Sequence, residues 1–380
     1  MITKTPYFSY RNKQLCKGCK QCVKGRKLVL FVTGLCSRNC FYCPLSERKH
    51  KKDVICANEW EIQKPTDILH ETKMCGSTGA GVTGGDPLVK LDRTVKFIRM
   101  LKKKFGKKFH IHLYTPLLHV NEKSMQALYK AGLDEIRFHP DFISKDYKKF
   151  WKNIQYAKRY KWKIGIEIPI IPNYEKQTIE LIDYFKKHVD FFNFNELEIA
   201  GVNISKMKKR CYKSKDGFSY AVKGSHQMAL KLMRKYPKLR IHYCTARLKD
   251  AVQLANRMKN RAKNAKTKYD KVTKEGMLIR GAVYLPDLKP GFGYHQILRD
   301  IRQGKNKNKR HNKQKLLRDL AELKTAIKRE FKIDTLIDKD KFRLITSTAN
   351  AQKLGKELEN VAIVEEYPTK DALEIELQFL

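Results

Sequence analysis

The chain has 380 residues, 42% hydrophobic and 32% charged, and its 81 lysines and arginines against 39 acids give a net charge of +42. That is enough apolar material for one large domain with an appendage, or for two domains. No run approaches the ~18 consecutive apolar residues of a membrane helix, and the opening MITKTPYFSYRNKQLCKGC has no apolar core of a signal peptide, so a cytoplasmic location is expected. In that compartment thiols stay reduced, and the ten cysteines read as metal ligands rather than as a disulfide scaffold. The charge attracts polyanions over a Debye length. RNA fits as a partner, and a proteome in which every protein is basic gives the same number.

Residues 1–26 are polar, basic and rich in cysteine, and read as an irregular or metal-bound lead-in. Lys27–Thr33 follows as a short apolar run of β-formers, the pattern of a buried parallel strand. Further strands are expected over Gly79–Thr83, Phe109–Thr115, Glu135–His139, Lys163–Ile170, Phe191–Ile199 and Leu239–Cys244. Helical spacing marks Leu91–Phe105, Glu122–Ala131 (stopped by Gly132), Lys145–Tyr160, Lys176–Lys187 and Gln227–Lys235. Strand and helix alternate about six times over a stretch shorter than a full eight-fold barrel, which predicts an α/β fold: a partial parallel (β/α)6 barrel over residues 27–250. A charged helical linker is expected over 251–275. A small basic α+β domain is expected over 276–380, with strands Met277–Tyr284, Phe342–Ile345, Val361–Val364 and Leu373–Phe379. Two basic segments, Lys206–Lys215 and Gln303–Lys315, are either solvated loops or phosphate-contacting arms.

Chemistry concentrates just after the first strand. In LCSRNCFYCPL, Cys36, Cys40 and Cys43 follow C-x3-C-x2-C spacing with Tyr42 before the last cysteine. A structural zinc closes its shell with four protein ligands, whereas three thiolates on one loop suit a [4Fe–4S] cluster whose fourth iron has no protein ligand. A zinc site completed by a distant cysteine is the competing reading. Thr83-Gly84-Gly85-Asp86-Pro87 ends the second strand, on the rim where parallel barrels build their sites. Cys16, Cys19 and Cys22 form a C-x2-C-x2-C series, and Cys244 ends a strand expected to reach the same rim. These four are expected to hold a second metal, either an auxiliary iron–sulfur cluster or a zinc, with His242 as a substitute ligand. Cys56, Cys75 and Cys211 stand alone and read as plain thiols.

The triplet with its aromatic residue, C-x3-C-x-aromatic-C, resembles the radical SAM superfamily motif, and Thr83–Pro87 is similar to that family's GGEP turn. The resemblance covers residues 27–244. The stretch GCKQCVKGRKLVLFVTGLCSRNCFYCPLS also looks like archaeal relatives of the pyruvate formate-lyase activating enzyme. The resemblance implies a [4Fe–4S] cluster on Cys36, Cys40 and Cys43. It implies S-adenosylmethionine (SAM) chelating the open iron, one-electron cleavage of its sulfonium to a 5′-deoxyadenosyl radical, and hydrogen abstraction from a substrate. It further implies that Gly84 and Gly85 let the backbone approach the methionyl group, that Asp86 (where the family usually has Glu) and Pro87 complete the turn, and that Tyr42 lies against adenine. His112, Arg137, Glu167 and Glu196, with Tyr114, His139 and Glu198, are the inward polar residues from which SAM contacts are expected. No acid–base catalyst is assigned. An electron donor such as ferredoxin or flavodoxin is expected. The substrate is RNA in one reading, and a protein or metabolite for an activating or maturation enzyme in the second. In the third, the chain is a non-catalytic metal-bearing protein that binds nucleic acid.

Overall fold

A computed structural model describes residues 1–305 and 312–380. The chain divides into two units, Met1–Arg257 and Met258–Leu380.

The first unit is built on seven parallel strands: β1 (Lys27–Phe31), β2 (Gly79–Thr83), β3 (His110–Thr115), β4 (Glu135–Phe138), β5 (Lys163–Ile170), β6 (Phe191–Glu196) and β7 (Ile241–Cys244). Each pairs with the next in chain order, and β1 does not pair with β7, so the barrel is partial. Its two open edges are covered by antiparallel pairing: Cys56–Ala57 on β1, and Tyr10–Arg11 on β7. Such cover removes the unpaired edge groups that would template association. Six connections link the seven strands.

The crossover helices form for local reasons. In Leu91–Phe105, Val95, Ile98 and Leu101 are buried on one face, while lysines 102–104 fill the last turn, where positive charge complements the helix dipole. In Glu122–Ala131, the Asn121 side chain accepts from the Ser124 amide, and Gly132 ends the helix at φ 96°, a left-handed turn that glycine adopts without strain.

Three expectations are corrected. The lead-in is not irregular: Cys16 is the N-terminal flank of a helix, α1 (Lys17–Val23). The helix expected over 145–160 is reduced to a 3-10 turn, Trp151–Asn153, and one short helix, Ile154–Lys158. Asp141 takes the amides of Ile143 and Ser144 into a turn, and the Trp151 indole donates to the Asp141 carbonyl, so the chain folds back where the pattern predicted helix. The sixth strand stops at Glu196, because Glu198 leaves the sheet to bridge Ala221.

The second unit is an antiparallel sheet in the order Leu336–Asp338, Arg343–Thr346, Leu278–Tyr284, Val361–Glu366, Glu374–Phe379, with Lys271–Val272 also paired to Leu278–Tyr284. Helices Tyr294–Arg302, Lys313–Phe331 and Thr348–Leu354 accompany it. Its core includes Leu298, Leu320, Leu344 and Val364. Beside them the fully buried Arg343 lies 2.6 Å from Glu366 and 3.0 Å from Asp338, and Arg280 joins Glu366 (2.9 Å) to Asp270 (2.7 Å). Of the basic arm at 303–315, residues 306–311 lie outside the described residues. Beyond them Asn312 caps the next helix through the amides of Gln314 and Lys315. Among the described residues no helix is long and apolar enough to cross a membrane.

Candidate functional site

Side chains alternate across a strand, so one face of each barrel strand looks inward. Lys27 and Val29 of β1, Gly81 and Thr83 of β2, Glu167 and Pro169 of β5, Asn193 and Asn195 of β6, and His242 and Cys244 of β7 all line one cavity of about 560 Å³. Cys36, Cys40 and Cys43 line it from the rim, and Cys19 and Cys22 of α1 line it as well. Helix α1 closes the barrel's other end. Gly18 lies so close to the barrel interior that an added Cβ would come within 2.5 Å of Arg137 and 2.7 Å of the His112 ring, and Gln21 donates to the Thr78 carbonyl just before β2.

The cysteine loop is clamped from two sides. Amides of Gly85 and Asp86 donate to the carbonyls of Thr33 (2.7 Å) and Leu35 (2.8 Å). From the other side Asn203 donates to the Tyr42 carbonyl (3.1 Å) and the Val202 amide to Leu45 (2.9 Å). The basic segment expected as a loop begins as a short helix, Ile204–Lys209, beside this loop: Lys206 reaches Asn39 at 3.2 Å, and the Arg210 guanidinium sits 4.5 Å from the Phe41 ring centre. Arg38 is held by the His139 carbonyl (2.9 Å) and Asp141 (3.0 Å). All ten cysteines are free thiols. Burial pushes the Cys36 thiol up to about 11 and raises Cys43 as well, so metal binding there must displace protons.

Tyr42 is buried, and its hydroxyl bonds His139 Nε2 at 2.9 Å. His139 Nδ1 lies 2.8 Å from the Glu167 carbonyl, an acceptor only, so Nδ1 carries the proton and Nε2 accepts from Tyr42. Burial first, then the Arg38 charge, lowers His139 to about 4, and it is neutral near pH 7. Arg137 is the ionic hub: fully buried, 2.6 Å from Glu135, 2.7 Å from Glu167, and donating to Cys16 Sγ at 3.0 Å. Burial would raise the Glu167 carboxyl, but the Arg137 guanidinium holds it below the usual range. Glu196 accepts from the Ala246 amide (2.9 Å), and Glu198 pairs with Lys249.

Not every expected contact residue faces the cavity. Tyr42, Thr83, Gly84, Gly85, Arg137, Glu167 and Glu196 line it, while Asp86, Pro87 and His112 do not. Asp86 is fully buried. Its Oδ1 caps the turn at Leu88 (3.0 Å) and accepts from Thr115 (2.7 Å), while Oδ2 has no partner and burial raises the carboxyl. Pro87 starts the 3-10 turn that Asp86 caps. His112 packs under α1, bonding Tyr114 at 3.0 Å. Gly84 and Gly85, which line the cavity, are also packed closely against the chain itself. A Cβ on Gly84 would meet the Thr33 carbonyl at 2.5 Å, and one on Gly85 the Leu35 carbonyl at 2.4 Å, so the space they leave is filled by the chain's own backbone.

Residues not singled out from the sequence also line the cavity: Lys27, 3.2 Å from the Tyr114 hydroxyl, and Asn193, Asn195 and Lys249. The alternation in FFNFNE was the available signal, since it puts both asparagines on one face.

Three soft thiolates on one short loop, lining a cavity rather than packed into the core, are a donor set suited to an iron–sulfur cluster. Among the described residues no three His, Cys, Asp or Glu side chains draw close enough to share a single metal ion. A cluster asks for less convergence, since it presents separate corners to its ligands.

The Radical SAM superfamily model matches residues 30–185. Over 282 residues the chain is 45% identical to a Methanocaldococcus jannaschii protein provisionally named as a glycyl-radical enzyme activating enzyme, covering 72% of this chain and 75% of the relative. The chain belongs to the radical SAM superfamily. As a radical SAM protein it is an enzyme, and the family implies a [4Fe–4S] cluster and SAM as cofactors. Among solved structures, SuiB of Streptococcus suis bound to S-adenosylmethionine is 15% identical with a TM-score of 0.41, over 58% of this chain and 50% of SuiB. Methylornithine synthase is 13% identical with a TM-score of 0.40, over 60% and 72%. The chain thus spans about half the length of SuiB.

Proposed function

We propose that this radical SAM enzyme activates a glycyl-radical enzyme, taking a hydrogen atom from a glycine of that partner. The single observation that carries the reading is the 45% identity, over three quarters of its length, to the archaeal protein named for that activity. It favours the protein-substrate alternative over RNA, for which the charge of +42 and the basic segments Lys206–Lys215 and Gln303–Lys315 are the arguments.

In this reading Cys36, Cys40 and Cys43 hold the cluster, which with SAM supplies one-electron cleavage of a sulfonium and the means of hydrogen-atom abstraction. The chain's own residues position and shield. Tyr42 is fixed by His139 and Asn203, so the rim beside the cysteines is rigid. Arg137 and Asn195 hold the Glu167 carboxylate, leaving an oriented acceptor in the cavity wall (2.7 and 3.1 Å). Lys27 places a cation in the wall where, among the described residues, the neutral Tyr114 and His112 are the groups within hydrogen-bond reach, which suits an anionic group. Helix α1 keeps bulk water from the far end. We include a second iron–sulfur centre at the leading cysteines in the cofactor complement, a one-electron donor of the ferredoxin or flavodoxin type as partner, and a cytoplasmic location.

The test is anaerobic. Reconstituted protein with dithionite and SAM should release 5′-deoxyadenosine. With a glycyl-radical enzyme of the same organism it should also generate a glycine-centred electron paramagnetic resonance (EPR) doublet on the partner. Release stimulated by RNA, with no doublet on any such partner, overturns the proposal.

A further inference from the structure

The second iron–sulfur centre included above was placed only at the leading cysteines, and its ligands can be named from the donors that line the cavity besides Cys36, Cys40 and Cys43. Cys19 and Cys22 lie three residues apart on α1, one helical face. His242 and Cys244 lie two apart on β7, one strand face. All four line the same cavity.

His242 is the informative member. It is 6% exposed, and its Nδ1 sits 2.6 Å from Asn193 Oδ1, an acceptor that fixes the proton on that nitrogen. Its Nε2 is buried and has no partner among the described residues, and the residue lines the cavity. A buried polar atom without a partner is costly. An imidazole with one nitrogen tethered to an acceptor and the other free is the arrangement that second-shell groups impose on histidine ligands. The same Asn193 oxygen also lies 3.6 Å from Cys19 Sγ, so one amide orients two of the donors. Cys16, the first cysteine of the series, does not line the cavity: its thiol contacts that of Cys19, and the Arg137 guanidinium holds its sulfur at 3.0 Å, which engages it outside the cavity.

We infer that Cys19, Cys22, Cys244 and His242 bind a second iron–sulfur cluster at the floor of the cavity, oriented by Asn193. The four donors line one cavity, and among the described residues no three of them meet at single-ion distance, which suits a cluster over zinc. Four protein ligands leave no open iron, so this centre is a store for an electron and not a second SAM site. Replacing one thiolate by imidazole raises its potential above that of an all-cysteine cluster. The inference does not depend on the identity of the partner enzyme.

The experiment is metal analysis of the full chain after anaerobic reconstitution with iron and sulfide. The native protein should carry about eight irons, and Cys36→Ala/Cys40→Ala/Cys43→Ala should keep about four. Reduced by one electron with dithionite, the retained cluster should show nitrogen hyperfine coupling from imidazole in its pulsed EPR spectrum, and His242→Cys should abolish that coupling while the iron stays. Circular dichroism of each variant separates lost ligation from lost folding. In a folded triple variant, an iron-free chain or a zinc-loaded one overturns the cluster. A retained cluster without nitrogen coupling overturns the ligand set. Either result leaves 5′-deoxyadenosine release by the native protein as a separate measurement.

Discussion

Replacing Gly85 by alanine distinguishes two roles for the glycine turn. If glycine is needed so that SAM can approach, G85A should fold normally, load its cluster and lose only SAM affinity. The structure gives a different expectation. The new Cβ would stand 2.4 Å from the Leu35 carbonyl oxygen and 2.7 Å from that of Gly34, about an ångström short of ordinary contact. Both obstacles are backbone, and the Gly85 and Asp86 amides are already bonded to the same strand-to-loop segment, so neither side can swing away as a side chain would. The overlap must be relieved by moving residues 34–35, directly before Cys36. Overpacking of this kind costs about 1–3 kcal/mol. It should appear as a lower denaturation midpoint together with reduced iron after reconstitution. Gly217, where an added Cβ meets nothing within 4 Å, is the control and should tolerate alanine. A G85A protein with native midpoint and full iron, defective only in SAM binding, would refute the packing argument.

Arg137→Met should cost about 3–5 kcal/mol, because Glu135 and Glu167 would be left as buried carboxylates without the guanidinium that pairs with both; urea unfolding measures it, and adding Glu135→Gln and Glu167→Gln should recover part of the loss. Arg343→Met should destabilise the second unit by a similar amount, about 3 kcal/mol or more, by removing a fully buried partner of Glu366; hydrogen exchange should show faster opening of residues 278–284 and 361–366 with the first unit unchanged. His139 is neutral in the fold, with its titration lowered to about 4 from the ordinary 6.5. The unfolded chain therefore binds the extra proton between those values, and stability should fall as pH drops from about 6.5 towards 4, by at most ~1.4 kcal/mol per pH unit for this one group. His139→Gln should flatten that slope in denaturation curves taken across the window.

The barrel was legible because its strands are short apolar runs between turn residues and its helices carry clear apolar faces. Gly79–Thr83, Leu91–Phe105 and Glu122–Ala131 run over the expected residues. The segment 145–160 was not, because helical periodicity there was outweighed by Asp141, whose turn depends on tertiary placement of Trp151. Helix α1 was hidden by its cysteines, which suggested ligands before they suggested a helix. At the site, the cysteine spacing and the glycine turn could be read directly, since both are local. The inward asparagines of β6 required knowing which face of a strand looks in. That Asp86 caps a turn, and that the glycines pack against carbonyls, depends on how closely two loops approach, which spacing along the chain does not encode.

Because α1 stoppers one end, the barrel is a cup whose mouth lies at its other end. What enters by that mouth passes the rim that bears Cys36, Cys40 and Cys43. In the reading proposed above, that entrance orders loading: metal before SAM, and SAM before the partner's chain.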